Sequence, residues 1–143
     1  MHGSAKSRSK ETQAQQFINE VYNAIVGQIA KGEIEFARRL LEANLRPLRD
    51  QGRLYDTAML AVKVGQPLLA AELLEDAGNG SALGSAEKSH LYWEAMGLYT
   101  DANDLIGASR MKGRLASMGA TANRGTNASG IFSSLLGLLR PHR

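Results

Sequence analysis

A chain of 143 residues, 43% apolar and 22% charged, has the size and mix of one packed domain rather than of a disordered or membrane-embedded chain. It contains no cysteine, which excludes disulfides, thiolate metal sites and cysteine nucleophiles and makes the reducing cytoplasm its natural setting; no apolar run is long enough to span a bilayer, and the first ten residues, MHGSAKSRSK, lack the apolar stretch of a signal peptide. The net charge of +3 conceals a split, because residues 11–104 hold all 14 acids and 8 of the 17 Lys and Arg, leaving −6 in the middle and +9 at the two ends.

Residues 1–10 read as a basic tail carrying Lys6, Arg8 and Lys10. A helical-repeat domain is expected over 11–118. Its first helix runs from Glu11 to Lys31, with Phe17, Ile18, Val21, Ile25 and Ile29 at three- and four-residue steps on one face. After Gly32, Ile34, Ala37, Leu40, Leu41 and Leu45 continue that period in a second helix, which Pro47 should end or kink. Leu54, Ala58, Met59, Ala61 and Val62 mark a third helix, stopped at Gly65. Pro67 opens a fourth, built on Leu69, Ala70, Leu73, Leu74 and Ala77 and ending at Gly78. Residues 78–85, GNGSALGS, are a loop, and Ser85 should cap a fifth helix that carries Leu91, Trp93, Ala95 and Met96 as far as Gly97. A sixth should start near Asp101 and stop at Gly119.

Residues 119–130, GATANRGTNASG, read as a flexible linker holding Arg124. The segment 131–143 begins IFSSLLGLLR, a short apolar helix closed by Pro141. Ile131, Phe132, Leu135, Leu136, Leu138 and Leu139 would each cost roughly 1.5–3 kcal/mol to leave in water, so something must cover them. Three covers are expected from this chemistry: the last hairpin of the same chain, a groove on a partner, or a membrane surface met beside Arg140.

Gly32, Gly65 and Gly97 lie 33 and 32 residues apart, and five residues after each comes Ala37, Ala70 or Ala102, eight after comes Leu40, Leu73 or Leu105. Glycine turns the chain, the small alanine lets two helices approach, and the leucine fills the seam. This register over residues 20–118 resembles the tetratricopeptide repeat, although the family's aromatic followed by Leu-Gly and its terminal Pro are missing. The resemblance implies an all-α fold of stacked antiparallel helix pairs, about three hairpins in a solenoid plus a short C-terminal helix; an irregular helical bundle is the alternative. It also implies a surface that holds a partner's peptide or helix, as adaptors, scaffolds and assembly or secretion chaperones do. Self-association is a further use expected of the apolar terminal segment.

Candidate chemistry is sparse. His90 and Glu94 are four apart on one helical face, the spacing of two metal ligands, but a surface ion pair explains them better. Ser85-x-x-Lys88 has the spacing of a serine–lysine nucleophile without its companion motifs, and Gly78-x-Gly80 lacks the lysine of a phosphate loop. No catalytic residue, metal or cofactor is therefore expected. The residues expected to bind a partner are Tyr22, Tyr55, Tyr92, Ile131, Phe132, Leu135, Leu136 and Leu139. Those expected to meet anions are Lys6, Arg8, Lys10, Arg110, Arg114, Arg124 and Arg140. A nucleic-acid-associated subunit using these basic ends is a second reading, opposed by the acidic middle; an enzyme with a cryptic site is a third.

Overall fold

The computed structural model describes the backbone of residues 2–80 and 82–122 and the side chains of 12–80 and 82–119. Seven helices, and no strand, occur among these residues: α1 (His2–Ala30), α2 (Ile34–Ala43), α3 (Leu45–Asp50), α4 (Leu54–Lys63), α5 (Pro67–Gly78), α6 (Ser85–Asp101) and α7 (Leu105–Ala122). They form two compact units, Met1–Gln66 and Pro67–Arg143. No helix among the described residues is long and apolar enough to cross a membrane.

One turn recurs four times. Gly32, Gly52, Gly65 and Asn103 have φ of 80°, 74°, 78° and 62°, the left-handed region that a Cβ disfavours. At each, the amide of this residue donates to the carbonyl three back and the next amide to the carbonyl five back, as Gly65 does to Val62 and Gln66 to Ala61. These two bonds satisfy carbonyls that the end of a helix leaves open, and the residue after the turn then leads directly into the next helix.

In the first unit α1 packs on α2, and Ile18 and Ile25, seven apart on one face of α1, are fully buried. Ala37 and Leu41 from α2, Leu48 from α3, and Ala58, Leu60, Ala61 and Val64 from α4 and its end complete the core. Two arginines tie the helix ends. Arg38 donates from Nε and Nη2 to the Val64 carbonyl at 3.3 and 3.2 Å, favourably placed at the negative end of α4. Arg53 donates to Asn19 and lies 5.6 Å from the Tyr22 ring centre.

Several boundaries differ from expectation. Helix begins at His2, inside the expected tail. The second helix stops at Ala43, before Pro47, where the Asn44 side-chain amide donates to the Leu40 carbonyl at 2.9 Å, the local competition asparagine offers a helix backbone. Pro47 then sits in the first turn of α3, where no intrahelical bond needs its missing N–H.

In the second unit α6 packs against both α5 and α7. Ala70, Ala71, Leu73 and Leu74 of α5 meet a core that includes Leu91, Tyr92, Ala95 and Tyr99 of α6 and Met111 of α7. Gly84, in extended conformation, precedes the first turn of α6, so Ser85 is the first helical residue and not the cap. The helix does not stop at Gly97 but runs to Asp101, and the turn falls at Asn103. Gly119 likewise does not end α7, which reaches Ala122. The segment 131–143 and Arg124 lie outside the described residues.

Ala37 and Ala70 are both fully buried. Ala37→Leu and Ala70→Leu should each overpack the core by three heavy atoms and cost on the order of 1–3 kcal/mol. Urea midpoints equal to that of the parent would show that these positions have room.

Candidate functional site

The second unit holds a polar cluster and an apolar groove. Glu75 stands in the run LLAAELLEDAG, in register with buried neighbours on both sides, so α5 carries its carboxylate into the unit. Four donors meet it there. Tyr99 Oη donates to Oε1 at 2.5 Å; Arg110 donates from Nε to Oε2 and from Nη2 to Oε1, each at 2.9 Å; Arg114 Nη2 donates to Oε2 at 3.2 Å. The guanidinium carbons of Arg110 and Arg114 lie 5.5 Å from the ring centres of Tyr99 and Tyr92, and Tyr92 Oη donates to Asn79 Oδ1 at 2.7 Å. The cluster joins one residue of α5 to two of α6 and two of α7.

Its electrostatics are those of a strut. The Arg110 hydrogen bonds, helped by Tyr99 and Arg114, outweigh burial and hold the Glu75 carboxyl below the usual carboxylate range. Burial, with the Glu75 carboxylate beside it, pushes the Tyr99 hydroxyl up to about 12. Glu75 is thus fixed as an anion and Tyr99 as a neutral donor near pH 7. Neither is poised to exchange a proton with a substrate, as general acid–base work requires.

His90 and Glu94 contact one another on α6, with the Glu94 side chain almost fully buried. Burial raises the Glu94 carboxyl, against the lowering effect of His90, and its Oε2 has no hydrogen-bond partner. Among the described residues no three His, Asp or Glu side chains gather as a metal site would need. A raised folded pKa means that Glu94 adds stability below its unfolded pKa and loses it as pH rises through its folded pKa. Glu94→Gln should therefore melt higher than the parent at pH 8 and show no such advantage at pH 4. A lower melting temperature for the variant at pH 8 would show that the buried charge is compensated.

Between α6 and α7 lies a groove of about 390 Å³. Trp93, Met96, Gly97 and Thr100 line it from α6, and Leu105, Ala108, Ser109 and Lys112 from α7. Both sets follow the same spacing of i, i+3, i+4 and i+7, which puts each on one stripe of its helix. Gly97, Ala108 and Ser109 are small, so the space between the stripes is open. Thr100 Oγ1 donates to the Met96 carbonyl at 2.9 Å, which occupies its hydroxyl within its own helix. Leu105, one of the residues lining the groove, is 69% exposed; Ile106, 79% exposed, does not line it and lies four residues before Arg110 on a different stripe of α7. No known family model, curated protein or solved structure matches this chain.

The residues singled out from sequence are scattered through this arrangement. Tyr22 is half-buried under Arg53, and Tyr55 is exposed at the start of α4. Tyr92 is only 6% exposed, its ring packed against Gly78, so it offers little face to a partner. Arg110 and Arg114 are engaged within the chain by the carboxylate of Glu75. The side chains of Lys6, Arg8 and Lys10, together with Arg124, Ile131, Phe132, Leu135, Leu136, Leu139 and Arg140, lie outside the described side chains. Sequence reading missed the groove, whose only sign was the pair of matching stripes around Trp93 and Ala108.

Proposed function

We propose that this chain is a non-enzymatic protein-binding module that takes an amphipathic helix into the α6–α7 groove, as an adaptor or assembly chaperone would. The observation that carries the reading is the open groove itself, with Leu105, one of its lining residues, left 69% in water. Helix-in-groove recognition needs this combination: an apolar trough, small residues that admit a helix closely, and a rigid wall on either side. The Glu75 cluster supplies the rigidity, since it fixes the register of α7 against α5 and α6.

The tetratricopeptide-like arrangement belongs to the same proposal. Two left-handed glycines, Gly32 and Gly65, stand 33 residues apart and each precedes a fully buried alanine by five residues. The third turn departs from this period, since it lies at Asn103.

Ala108→Glu, at the centre of the groove, tests the reading. In pull-downs from the native host, a protein retained by the parent, cross-linked to α6 or α7, should be lost by the variant. A partner held equally by both chains would place binding elsewhere.

A further inference from the structure

The chain's own segment 131–140, IFSSLLGLLR, has the chemistry this groove would accept. Placed at 100° per residue, Ile131, Phe132, Leu135, Leu136, Leu138 and Leu139 fall within an arc of roughly 160°, and Ser133, Ser134, Gly137 and Arg140 fill the opposite side. The sequence thus predicts an amphipathic helix with one unbroken apolar face. Its length suits the groove. As a helix, ten residues measure about 15 Å, and the stretch from Leu105 to Lys112 on α7 measures about 10 Å.

The tether suits it too. The described part of α7 ends at Ala122, about 15 Å along the helix from Lys112, the nearer end of the groove. Residues 123–130 can span roughly 26 Å when extended, so the chain can turn back beside α7 with slack to spare. A short flexible tether sets an effective concentration of about a millimolar. A free helix present at micromolar concentration would then have to outbind the tethered one to enter.

We propose that residues 131–140 occupy the α6–α7 groove of the same chain. This rests on the groove being a helix-binding site, as argued above. It gives the apolar tail and the exposed Leu105 of the groove a common cover: each buries what the other would leave in water.

Trp93 makes the test direct, because it lines the groove and is the sole tryptophan. The full-length parent is compared with full-length Leu135→Asp/Leu139→Asp, in which the centre of the tail's apolar face is charged; circular dichroism confirms equal helix in the body. The variant should show red-shifted Trp93 emission and severalfold stronger quenching by acrylamide, and a synthetic peptide of residues 131–143 should restore the parent's values. Ala108→Glu, with an intact tail, gives an independent reading: chymotrypsin should cut at Phe132 faster than in the parent. Equal quenching in parent and double variant, with equal cleavage at Phe132, overturns occupancy of the groove by the tail. Quenching of the parent that rises to the variant's level on dilution overturns it in favour of a second copy. If the peptide protects Trp93 in the double variant while the parent is as exposed as that variant, the groove binds helices but the tail does not occupy it. If the peptide protects neither, both readings fall.

Discussion

Glu75→Gln lowers stability by about 3 kcal/mol, because it removes the only acid from a cluster in which four donors converge on it. The amide that replaces the carboxylate presents its own N–H groups to Arg110 or Arg114, so at least one guanidinium faces a donor. Breaking a buried pair from one side costs about 3–5 kcal/mol, and the partial exposure of both arginines places this case at the lower end. Glu72→Gln, at an exposed position on the same helix, should change stability by less than about 0.5 kcal/mol. The pH dependence separates the two further. Because the Glu75 carboxyl is held below its usual range, its contribution is present above the unfolded pKa and is lost as pH falls through the folded pKa. The parent should therefore lose stability on acidification in a way that Glu75→Gln does not share. Equal denaturant midpoints for Glu75→Gln and Glu72→Gln at pH 7 would show that the cluster does not hold the helices.

The helices were largely legible because apolar spacing and glycine carry local information. Gly32, Gly52 and Gly65 lie in left-handed turns, as their positions between periodic runs imply. Gly97 was misleading for a physical reason. Glycine is tolerated inside a helix at a modest cost, and here it opens space in the groove, while asparagine, the residue after glycine most tolerant of a left-handed φ, makes the turn at 103. The polar cluster was hidden by distance along the chain, since Arg110 and Arg114 reach an acid 35 and 39 residues earlier. Two signals pointed to it: one glutamate at a position the helical period assigns to the core, and two arginines four apart on one face. The groove needed the structure, because its two stripes are unremarkable until α6 and α7 stand side by side.

Gly107→Ala and Gly113→Ala, six residues apart on α7, should shift stability in opposite directions. An alanine in a helix interior is intrinsically favoured over glycine by roughly 0.8–1.0 kcal/mol, so propensity predicts a gain at Gly113 and a smaller one at Gly107, which lies in the first turn of α7. At Gly113 nothing lies within 4 Å of the added methyl, and a gain of up to about 1 kcal/mol is expected. At Gly107 the methyl would stand 2.4 Å from Tyr99 Cδ1 and 2.7 Å from its Cγ and Cε1. These atoms belong to the base and edge of a ring that is 1% exposed, not to the free end of a flexible chain. The ring must move, or α7 must lift from α6. Either motion strains the bond from Tyr99 Oη to Glu75 and disturbs the seat of Arg110 over the ring. Overpacking of this kind costs about 1–3 kcal/mol, and a weakened hydrogen bond to a charged group adds about 1.5 kcal/mol or more, so a net loss of about 3 kcal/mol remains after the gain in propensity. Because α7 forms one wall of the groove, the same variant should also alter the emission of Trp93, whereas Gly113→Ala should leave it unchanged. Thermal melts of the two variants beside the parent decide the matter: if Gly107→Ala melts as high as Gly113→Ala, then α7 does not depend on close contact between Gly107 and Tyr99.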